Sequence, residues 1–546
     1  MTANDSFSSG TNPIDTPGVN LLATGRFPPL PEAFLEGRNL DLLAPVRFLG
    51  SGDQPAGNCA ATAPDRGELA EALEEANAQY GHPEARQLAK ELADPATRVV
   101  ITGQQPGLFG GPLYTLSKAV AAQLWAERLR AAGEPAVALF WMATEDHDFR
   151  EVSQATFFTA EGTSTFDLGE DKEPLVPVGL RVLGPEVKGV LAKLAQIMPG
   201  DRYGDWLTLL GQWYSPEVRF GEAFARLLVY LLGMRCPLIV DAMLPSLKAA
   251  QRPWLKQIVE QRVGLAEAFE ARDHQIIGEG YPLQVRPQQG ASPLFLQHGH
   301  QRRRIEWRGS TGFRLRGDES VKGDVAGLLQ IIEEEPVRVS PGVRARSAIQ
   351  DAVFGTCLQV LGPGELSYLP QAAPLFGLLG VPAPLVSLRP QVLVLDERQQ
   401  AHLTESGLGL ERLLDPAFNL DAWLAPAEET GFVKSAEEQL EALLKGLREP
   451  SMVLDGNLER PWEKTSDQMR RALQGFGKRV TAAASRRDAT ARTRLATLRS
   501  SCLPQGKPQE RIIAASHFPG KYGDDFVAAM FQQMRLEPEN LHIVTP

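Results

Sequence analysis

The run over residues 98–129, RVVITGQQPGLFGGPLYTLSKAVAAQLWAERL, constrains the fold of this chain more than any other stretch. The β-branched residues 99–102 predict a buried strand, and a turn with four glycines follows. Pro112 suits the first position of the apolar-periodic helix after that turn. The pattern predicts an α/β fold with an anion site at a helix N-terminus. It matches no standard phosphate-loop motif, so an ordinary strand-to-helix turn remains the alternative.

A second predicted strand, residues 136–143, ends in the polar sequence TEDHDF. Ligands bind at the carboxyl edge of open α/β sheets, so this loop and the glycine turn are expected to open onto one cleft. His147, oriented by Asp146 or Asp148, is the predicted general base, and all three are candidate catalytic residues. A solvated acidic turn is the non-functional alternative. The same trio could bind a metal, but without a second ligand cluster none is predicted.

Composition narrows the function classes. The length of 546 residues implies several domains, and the net charge of −11 argues against nucleic-acid binding. Four scattered cysteines without a CxxC motif predict reduced thiols, with Cys236 and Cys357 in the core. The N-terminus has no signal-peptide pattern, and no apolar stretch reaches a membrane-spanning length. A cytoplasmic protein without membrane contact is therefore expected.

The order of strand, glycine turn and helix repeats near residues 357–380, so one interrupted α/β core is predicted. We assign residues 1–155 to an N-terminal arm and the first part of the core. Core segments at 225–255 and 335–390 alternate with insertions at 156–224 and 256–334. Residues 391–502 form a helical domain, and residues 503–546 return to the core.

A heptad seam lies in the helical domain. Its residues step by four and three along a helix predicted within residues 459–498, and they are Met469, Leu473, Phe476, Val480 and Ala483. The flanking arginines and lysines lack interleaved aromatic residues, so a solvated coiled-coil flank is favoured over a nucleic-acid surface. The seam predicts a short coiled coil or helical hairpin.

Five motifs occur in a familiar order: TGQQPGLFGGPLYTLSKA, FWMATEDHDF, FGEAFARLLVYLLG with PLIVDA, FGTCLQVLGPGELSYL and QERIIAASHFPGKYGDDF. From about residue 95 to the C-terminus the chain resembles the bacillithiol biosynthesis cysteine-adding enzymes, the cysteine ligases of that pathway. The resemblance implies a Rossmann-like core with two connecting-peptide insertions and a coiled-coil domain that forms a homodimer. It also implies addition of L-cysteine to the glucosamine amine of glucosaminyl-malate, the last step of bacillithiol formation.

Such a substrate needs anion holders and groups that recognise hydroxyls. The predicted substrate-binding residues are Gly103, Gln104, Gln105, Gly107, Gly110, Gly111, Tyr114, Lys118 and Arg346. Solvation of Lys118, packing of Tyr114 and a structural ion pair of Arg346 are the alternatives. The predicted nucleotide-binding residues are Gly362, Gly364, Glu365, Tyr368, Arg511, Lys521 and Tyr522. ATP or ADP is the candidate cofactor. His298 and His300 are predicted surface residues, and His517 is either structural or functional.

The chain departs from the family pattern at several positions. Ala514 stands where asparagine is expected, and residues 343–347 read VRARS instead of a sequence like VVTRP. The HxGH and KMSKS motifs of class I nucleotidyltransferases are missing from the sequence. Two rival functions therefore stay open. One is a nucleotide-dependent ligase or nucleotidyltransferase that acts on another amine, and the other is a non-catalytic, dimeric sugar-acid binding protein.

Overall fold

The computed structural model describes residues 19–55, 64–198, 200–425, 427–485 and 489–546. The chain forms two compact units. Met1–Val394 and Lys507–Pro546 make the first unit, and Leu395–Gly506 makes the second. The sequence predicts a poorly ordered arm over residues 1–30. Residues 1–18 lie outside the described residues, whereas Val19, Leu21 and Leu30 are buried, so residues 19–30 pack into the fold and that part of the prediction is wrong.

The strands are β1 Val19–Asn20, β2 Arg47–Phe48, β3 Arg98–Gln104, β4 Ala136–Met142, β5 Gln154–Thr159, β6 Gly162–Asp167, β7 Leu238–Asp241, β8 Ala291–His298, β9 Gln301–Arg308, β10 Gly312–Leu315, β11 Asp318–Asp324, β12 Val339–Pro341, β13 Thr356–Leu361, β14 Leu385–Leu388, β15 Gln391–Val394 and β16 Asn540–Val544.

The α-helices of the first unit are α1 Pro29–Leu35, α2 Gly67–Gln79, α3 Ala85–Ala93, α4 Tyr114–Ala131, α5 Phe149–Val152, α6 Glu186–Ile197, α7 Asp201–Trp213, α8 Phe220–Leu232, α9 Pro245–Glu260, α10 Arg262–Gly278, α11 Val325–Glu334, α12 Val343–Phe354, α13 Pro363–Ala372 and α14 Pro374–Leu379. The second unit contains α15 Glu397–Glu405, α16 Leu410–Leu414, α17 Leu420–Leu424, α18 Ala427–Leu454, α19 Glu459–Ser485 and α20 Ala489–Cys502. The C-terminal return adds α21 Gln509–Ile512, α22 His517–Tyr522 and α23 Asp525–Gln533.

A six-stranded sheet in the order β2-β14-β13-β3-β4-β7 forms the core. All its strand pairs are parallel. β3 and β4 run in register until Gln104 meets Met142, so both strands end at the same edge. Every residue of β4 is buried, as expected for a central strand covered by helices on both faces. The predicted Rossmann-like core is confirmed.

The two insertions fold differently. The first carries the antiparallel hairpin β5–β6 followed by α6 and α7. The second carries most of a five-stranded sheet in the order β11-β10-β9-β8-β12. The C-terminal return adds β16, which lies between β1 and β15 in a three-stranded sheet. The segment at residues 391–394 is therefore a strand of the first unit, whereas the sequence predicts that the helical domain begins at residue 391.

In the second unit, α18 and α19 form an antiparallel hairpin. Arg448 pairs with Glu459 near the turn, and Arg470 pairs with Glu441 farther along. This hairpin does not bury the whole heptad seam, because Met469 is 42% exposed and Phe476 is 55% exposed. The seam is therefore left uncovered at Met469 and Phe476 by the described residues, whereas Leu473 and Val480 are half-buried.

Several local predictions are wrong. The helix expected over residues 68–92 is two helices, because Gly81 adopts a φ of +80° and Pro83 follows it. Pro112 is not the first helical residue; its backbone bridges Ala514, and α4 begins at Tyr114. The sequence predicts reduced thiols, but Cys357 is disulfide-bonded. Cys236 is a buried free thiol, as predicted.

Candidate active site

A cleft of about 650 Å³ lies at the carboxyl edge of the central sheet, where β3, β4 and β13 end. This is the usual ligand position in an open parallel sheet. Strand ends, the N-termini of α12 and α13, and side chains of β8 and β9 build its wall. Its volume suits a small-molecule substrate.

The cleft brings together most of the predicted site residues. Those that line it are Gly103, Gln104, Gln105, Tyr114, Lys118, Asp146, His147, Asp148, Arg346, Gly362, Gly364, Glu365, Tyr368 and Arg511. The predicted residues that do not line it are Gly107, Gly110, Gly111, Lys521 and Tyr522. Lys521 donates to the Tyr522 hydroxyl at 2.8 Å on the exposed face of α22.

The glycine turn is a structural element and not an open anion cradle. Two of its N–H groups bond within the protein: that of Gly110 lies 3.1 Å from both the Gly107 carbonyl and the Tyr214 hydroxyl, and that of Gly111 donates to the Leu108 carbonyl at 3.1 Å. A Cβ on Gly107 would lie 2.5 Å from the Gly111 Cα, so the turn needs glycine for close packing. Gly111 also has a φ of +65°, which only glycine adopts readily. The prediction that this turn holds substrate carboxylates is therefore corrected.

Lys118 is the buried cation of the cleft floor, with 3% of its side chain exposed. Its ammonium donates to the Gly103 carbonyl at 2.8 Å, to the Gln104 amide oxygen at 3.0 Å, and to the Glu365 carboxylate. Burial lowers the pKa of Lys118, while Glu365 opposes that shift. Because all three donors of the ammonium are engaged, Lys118 organises the strand ends more than it offers a free charge.

Glu365 links the two strand-to-helix turns. It accepts from Lys118, from the Gly362 N–H at 2.8 Å and from Arg346 at 3.4 Å. Burial opposes ionisation of this carboxyl, but the charges of Lys118 and Arg346 outweigh it and hold the pKa below its usual range. Arg346 also donates to the Tyr368 hydroxyl at 2.9 Å. A phosphate at the Gly362 turn would have to displace a buried carboxylate, so the predicted nucleotide site does not fit this turn as it stands.

The three residues of the QER motif, at the start of α21, make different contacts. Gln509 bonds both backbone groups of Val394 on β15, at 2.8 and 3.0 Å. Glu510 forms a buried ion pair with Arg389 at 2.5 and 2.7 Å. Arg511 lines the cleft, with its guanidinium carbon 5.9 Å from the centre of the Tyr114 ring. The first two residues fasten the C-terminal segment, and the third faces the site.

In the acidic loop after β4, neither aspartate orients His147. The Asp146 carboxylate accepts from the His147 backbone N–H at 2.7 Å and from Gln105 at 3.0 Å. Its nearest approach to the imidazole is 4.0 Å. Asp148 caps α5 by accepting from the Glu151 N–H at 3.2 Å. The predicted carboxylate–imidazole hydrogen bond is therefore absent from this part of the structure.

Arg302 occupies that position instead. Its guanidinium lies 3.3 Å from the Nδ1 atom of His147. Burial disfavours the charged form of Asp146, but Arg302 and the Gln105 hydrogen bond hold its pKa below the usual value. Burial, followed by the charge of Arg302, lowers the pKa of His147.

Sequence reasoning missed several residues of the cleft wall. They are Glu145, Glu151, Gln284, Phe295, Arg302, Arg304 and Arg389. Arg302 and Arg304 alternate along β9, and that spacing signals a shared strand face. No site residue is predicted in the second insertion, where only His298 and His300 are considered. Partial burial and the charges of Asp146 and Asp148 raise the pKa of Glu151, which accepts from Gln105 at 2.8 Å.

The remaining histidines lie elsewhere. His298 and His300 are exposed at the β8–β9 turn, as predicted. His517 is a core residue whose Nδ1 contacts the Tyr203 hydroxyl at 2.7 Å, so the structural alternative holds. Across the described residues, no group of three or more potential ligands could hold a metal ion. Within the same part of the chain, no helix is long and apolar enough to cross a membrane.

The comparisons with known proteins agree with this architecture. The model of the "Bacillithiol biosynthesis BshC, N-terminal Rossmann-like domain" matches residues 54–390, and the model of its C-terminal coiled-coil domain matches residues 392–545. The chain belongs to the BshC family of bacillithiol biosynthesis.

Curated relatives match over most of their length, and each is named "Putative cysteine ligase BshC". The Solibacter usitatus protein is 29% identical over 84% of this chain and 86% of the relative. The Salinibacter ruber protein is 28% identical over 90% of this chain and 92% of the relative. The Thermus thermophilus protein is 30% identical over 78% of this chain and 84% of the relative. A solved chain titled as an arginyl t-RNA synthetase from Campylobacter jejuni, marked there as putative, has 12% identity and covers 82% of this chain and 98% of that chain. Its TM-score of 0.26 is too low to carry an argument.

Proposed function

We propose that this chain is a cysteine ligase that joins the carboxyl group of L-cysteine to the glucosamine amine of glucosaminyl-malate. Family membership and the names of the relatives support a ligase that forms a carbon–nitrogen bond. The observation that carries the proposal is the cleft at the sheet edge, which gathers arginines and carboxylates in one place. A substrate with carboxylates and an amine needs both kinds of group.

The binding roles follow from which cations are already engaged. Arg389 is paired with Glu510, whereas the Arg511 side chain has no hydrogen bond among the described residues and is exposed at the cleft. Arg511 is the proposed holder of a substrate carboxylate. The amides of Gln104 and Gln105 lie at the end of β3, where they can bind hydroxyl groups of a sugar.

The amine must lose a proton when the amide bond forms. Glu151 is the proposed acceptor, because it lines the cleft and its pKa is raised above the usual glutamate value. The cysteine carboxyl group must lose one oxygen in the same reaction, so that condensation releases water overall. Binding of ATP or ADP stays a prediction.

The deciding experiment incubates the protein with L-cysteine and glucosaminyl-malate, with and without ATP, and measures the condensation product by mass spectrometry. Arg511→Gln should raise the KM for glucosaminyl-malate about 10-fold, the typical loss for a charged hydrogen bond. His298→Gln, altered on the exposed β8–β9 turn, should behave like the wild-type protein. Tight glucosaminyl-malate binding without any product would indicate a binding protein instead. Product formed only with another amine would indicate a different ligase.

A further inference from the structure

Arg302 reaches the cleft from β9 of the second insertion and is held rigidly there. Its side chain donates to the Ser340 hydroxyl at 2.7 Å and to the Pro341 carbonyl at 2.9 Å. The guanidinium carbon lies 3.8 Å from the centre of the Phe295 ring, and only 6% of the residue is exposed. The other guanidinium nitrogen, Nη1, faces the Nδ1 atom of His147.

We propose that Arg302 is a positioning residue that holds His147 as a neutral imidazole with its proton on Nε2. An arginine side chain has donors and no acceptor, and it stays charged in proteins. Its approach to Nδ1 at 3.3 Å is favourable only if Nδ1 presents a lone pair. The opposite tautomer would place two N–H groups against each other.

The charged groups around His147 favour the same state. Arg302 and Arg304 on β9 disfavour the imidazolium, and Asp146 and Asp148 in its own loop favour it. Burial adds to the effect of the arginines, so the pKa of His147 lies below the ordinary histidine value of 6.5. Phe295 of β8 brings no charge to the ring, which it faces at a centroid distance of 5.9 Å.

This state changes what His147 can do. Its Nε2 atom makes no hydrogen bond with any described residue, and the side chain lines the cleft. A neutral imidazole with Nδ1 occupied offers Nε2–H as a donor and has no free lone pair for a proton. His147 therefore suits a carbonyl or carboxylate oxygen of the ligand, and the general-base role predicted from the sequence does not suit it. The identity of that ligand rests on the proposed function, but the protonation state does not.

The direct test is the nitrogen NMR spectrum of protein labelled with ¹⁵N-histidine, recorded without substrate from about pH 6 to 8, around the ordinary histidine pKa. The chain has eight histidines, so the His147 signals are identified by their loss in His147→Gln. We expect Nε2 protonated and Nδ1 unprotonated in the neutral imidazole, with a titration midpoint below the ordinary histidine value. A protonated Nδ1, or titration near the ordinary pKa, would overturn the proposal.

Variants on β9 separate positioning from general stability. Arg302→Met should allow His147 to titrate nearer its ordinary pKa, and Arg302→Lys should keep the titration low because the charge is retained. Arg303→Met is the matched control: Arg303 donates to the Gln301 side chain and the Arg316 carbonyl, does not line the cleft, and should leave the signals unchanged. Unaltered His147 titration in a folded Arg302→Met protein would refute the assignment.

Turnover provides a second readout. The amide nitrogen of glutamine can reach the position of Nε2, whereas that of the shorter asparagine reaches only the position of Nδ1. His147→Gln should therefore retain about 10-fold more activity than His147→Asn, the difference expected from one retained hydrogen bond to a charged group. Equal loss in both variants would contradict the donor role. A wild-type protein that makes no product would instead count against the proposed function, and the NMR result would stand separately.

Discussion

His517 should make the first unit sensitive to acid. The imidazole is 2% exposed and lies among the rings of Phe157, Phe158 and Phe518, at centroid distances of 5.9, 5.4 and 5.2 Å. Burial lowers its pKa from 6.5 to about 3. The folded protein therefore keeps this histidine neutral, whereas the unfolded chain binds a proton below about pH 6.5. Because the unfolded state binds more protons, stability falls as the pH falls.

The size of the effect follows from the gap between the two values. A pH of 5 lies about 1.5 units below the pKa of the unfolded histidine and still above that of the folded one. At 1.36 kcal/mol per pH unit, the free energy of unfolding is therefore about 2 kcal/mol lower at pH 5 than at pH 7.5. His517→Phe should remove this loss. Phenylalanine suits the aromatic surroundings, and the Tyr203 hydroxyl keeps the backbone carbonyl of residue 517 as its acceptor at 2.9 Å.

Urea unfolding at several pH values, followed by tryptophan fluorescence, measures the difference. Trp206 donates to the Ser516 carbonyl at 2.8 Å, so one fluorophore lies beside the altered residue. His82 and His542, whose pKa values burial also lowers, are present in both proteins and cancel in the comparison. His298→Gln should retain the wild-type slope. Parallel pH profiles for wild type and His517→Phe would refute the reasoning.

Three further predictions concern the turn, the cleft floor and the second unit. Gly107→Ala should lower the unfolding temperature because its Cβ would lie 2.5 Å from backbone of the same turn, and it should leave the glucosaminyl-malate affinity of the folded protein unchanged. The control Gly364→Ala, whose Cβ would have no atom within 4 Å, should unfold like wild type. Weaker binding by calorimetry in folded Gly107→Ala would show that the turn is part of the ligand site. Glu365→Gln should lower the free energy of unfolding in urea by about 3–5 kcal/mol near neutral pH, because the buried charge of Lys118 loses its partner. The loss should shrink at alkaline pH, where the lysine becomes neutral, and a loss below about 1 kcal/mol would contradict this. Light scattering should give twice 59.6 kDa for wild type and half that mass for Phe476→Glu, and a monomeric wild type would rule out the predicted homodimer.

The core strands could be predicted because their signals are local. The apolar runs at β3 and β4 have one interpretation in an α/β fold, and the parallel register then carries Gln104 and the loop after Met142 to one edge. The site residues next to those strand ends were found for the same reason. Strand β15 was missed because its four residues precede a long helical segment, and its partner β16 lies near the other end of the chain.

The chemistry of the loops could not be predicted, because distant partners determine it. Glycines in a turn signal unusual backbone, but whether its N–H groups are free depends on Tyr214, more than a hundred positions away. The same holds for His147: the adjacent aspartates suggested an orienting carboxylate, whereas Arg302 arrives from an insertion 155 positions later. Local sequence thus predicts which residues meet at the sheet edge, whereas long-range packing determines which charged and polar groups surround them.

The pairing of charges in the cleft indicates where a ligand anion can bind. Lys118 is engaged by Glu365, and Arg389 by Glu510, so an incoming carboxylate would compete with buried ion pairs at both positions. Breaking such a pair is costly, which favours these residues as scaffold. Arg511 differs because it is exposed at the cleft and adjoins the anchored Glu510. An arginine on an anchored backbone loses little entropy on binding, and a carboxylate there would break no ion pair seen among the described residues.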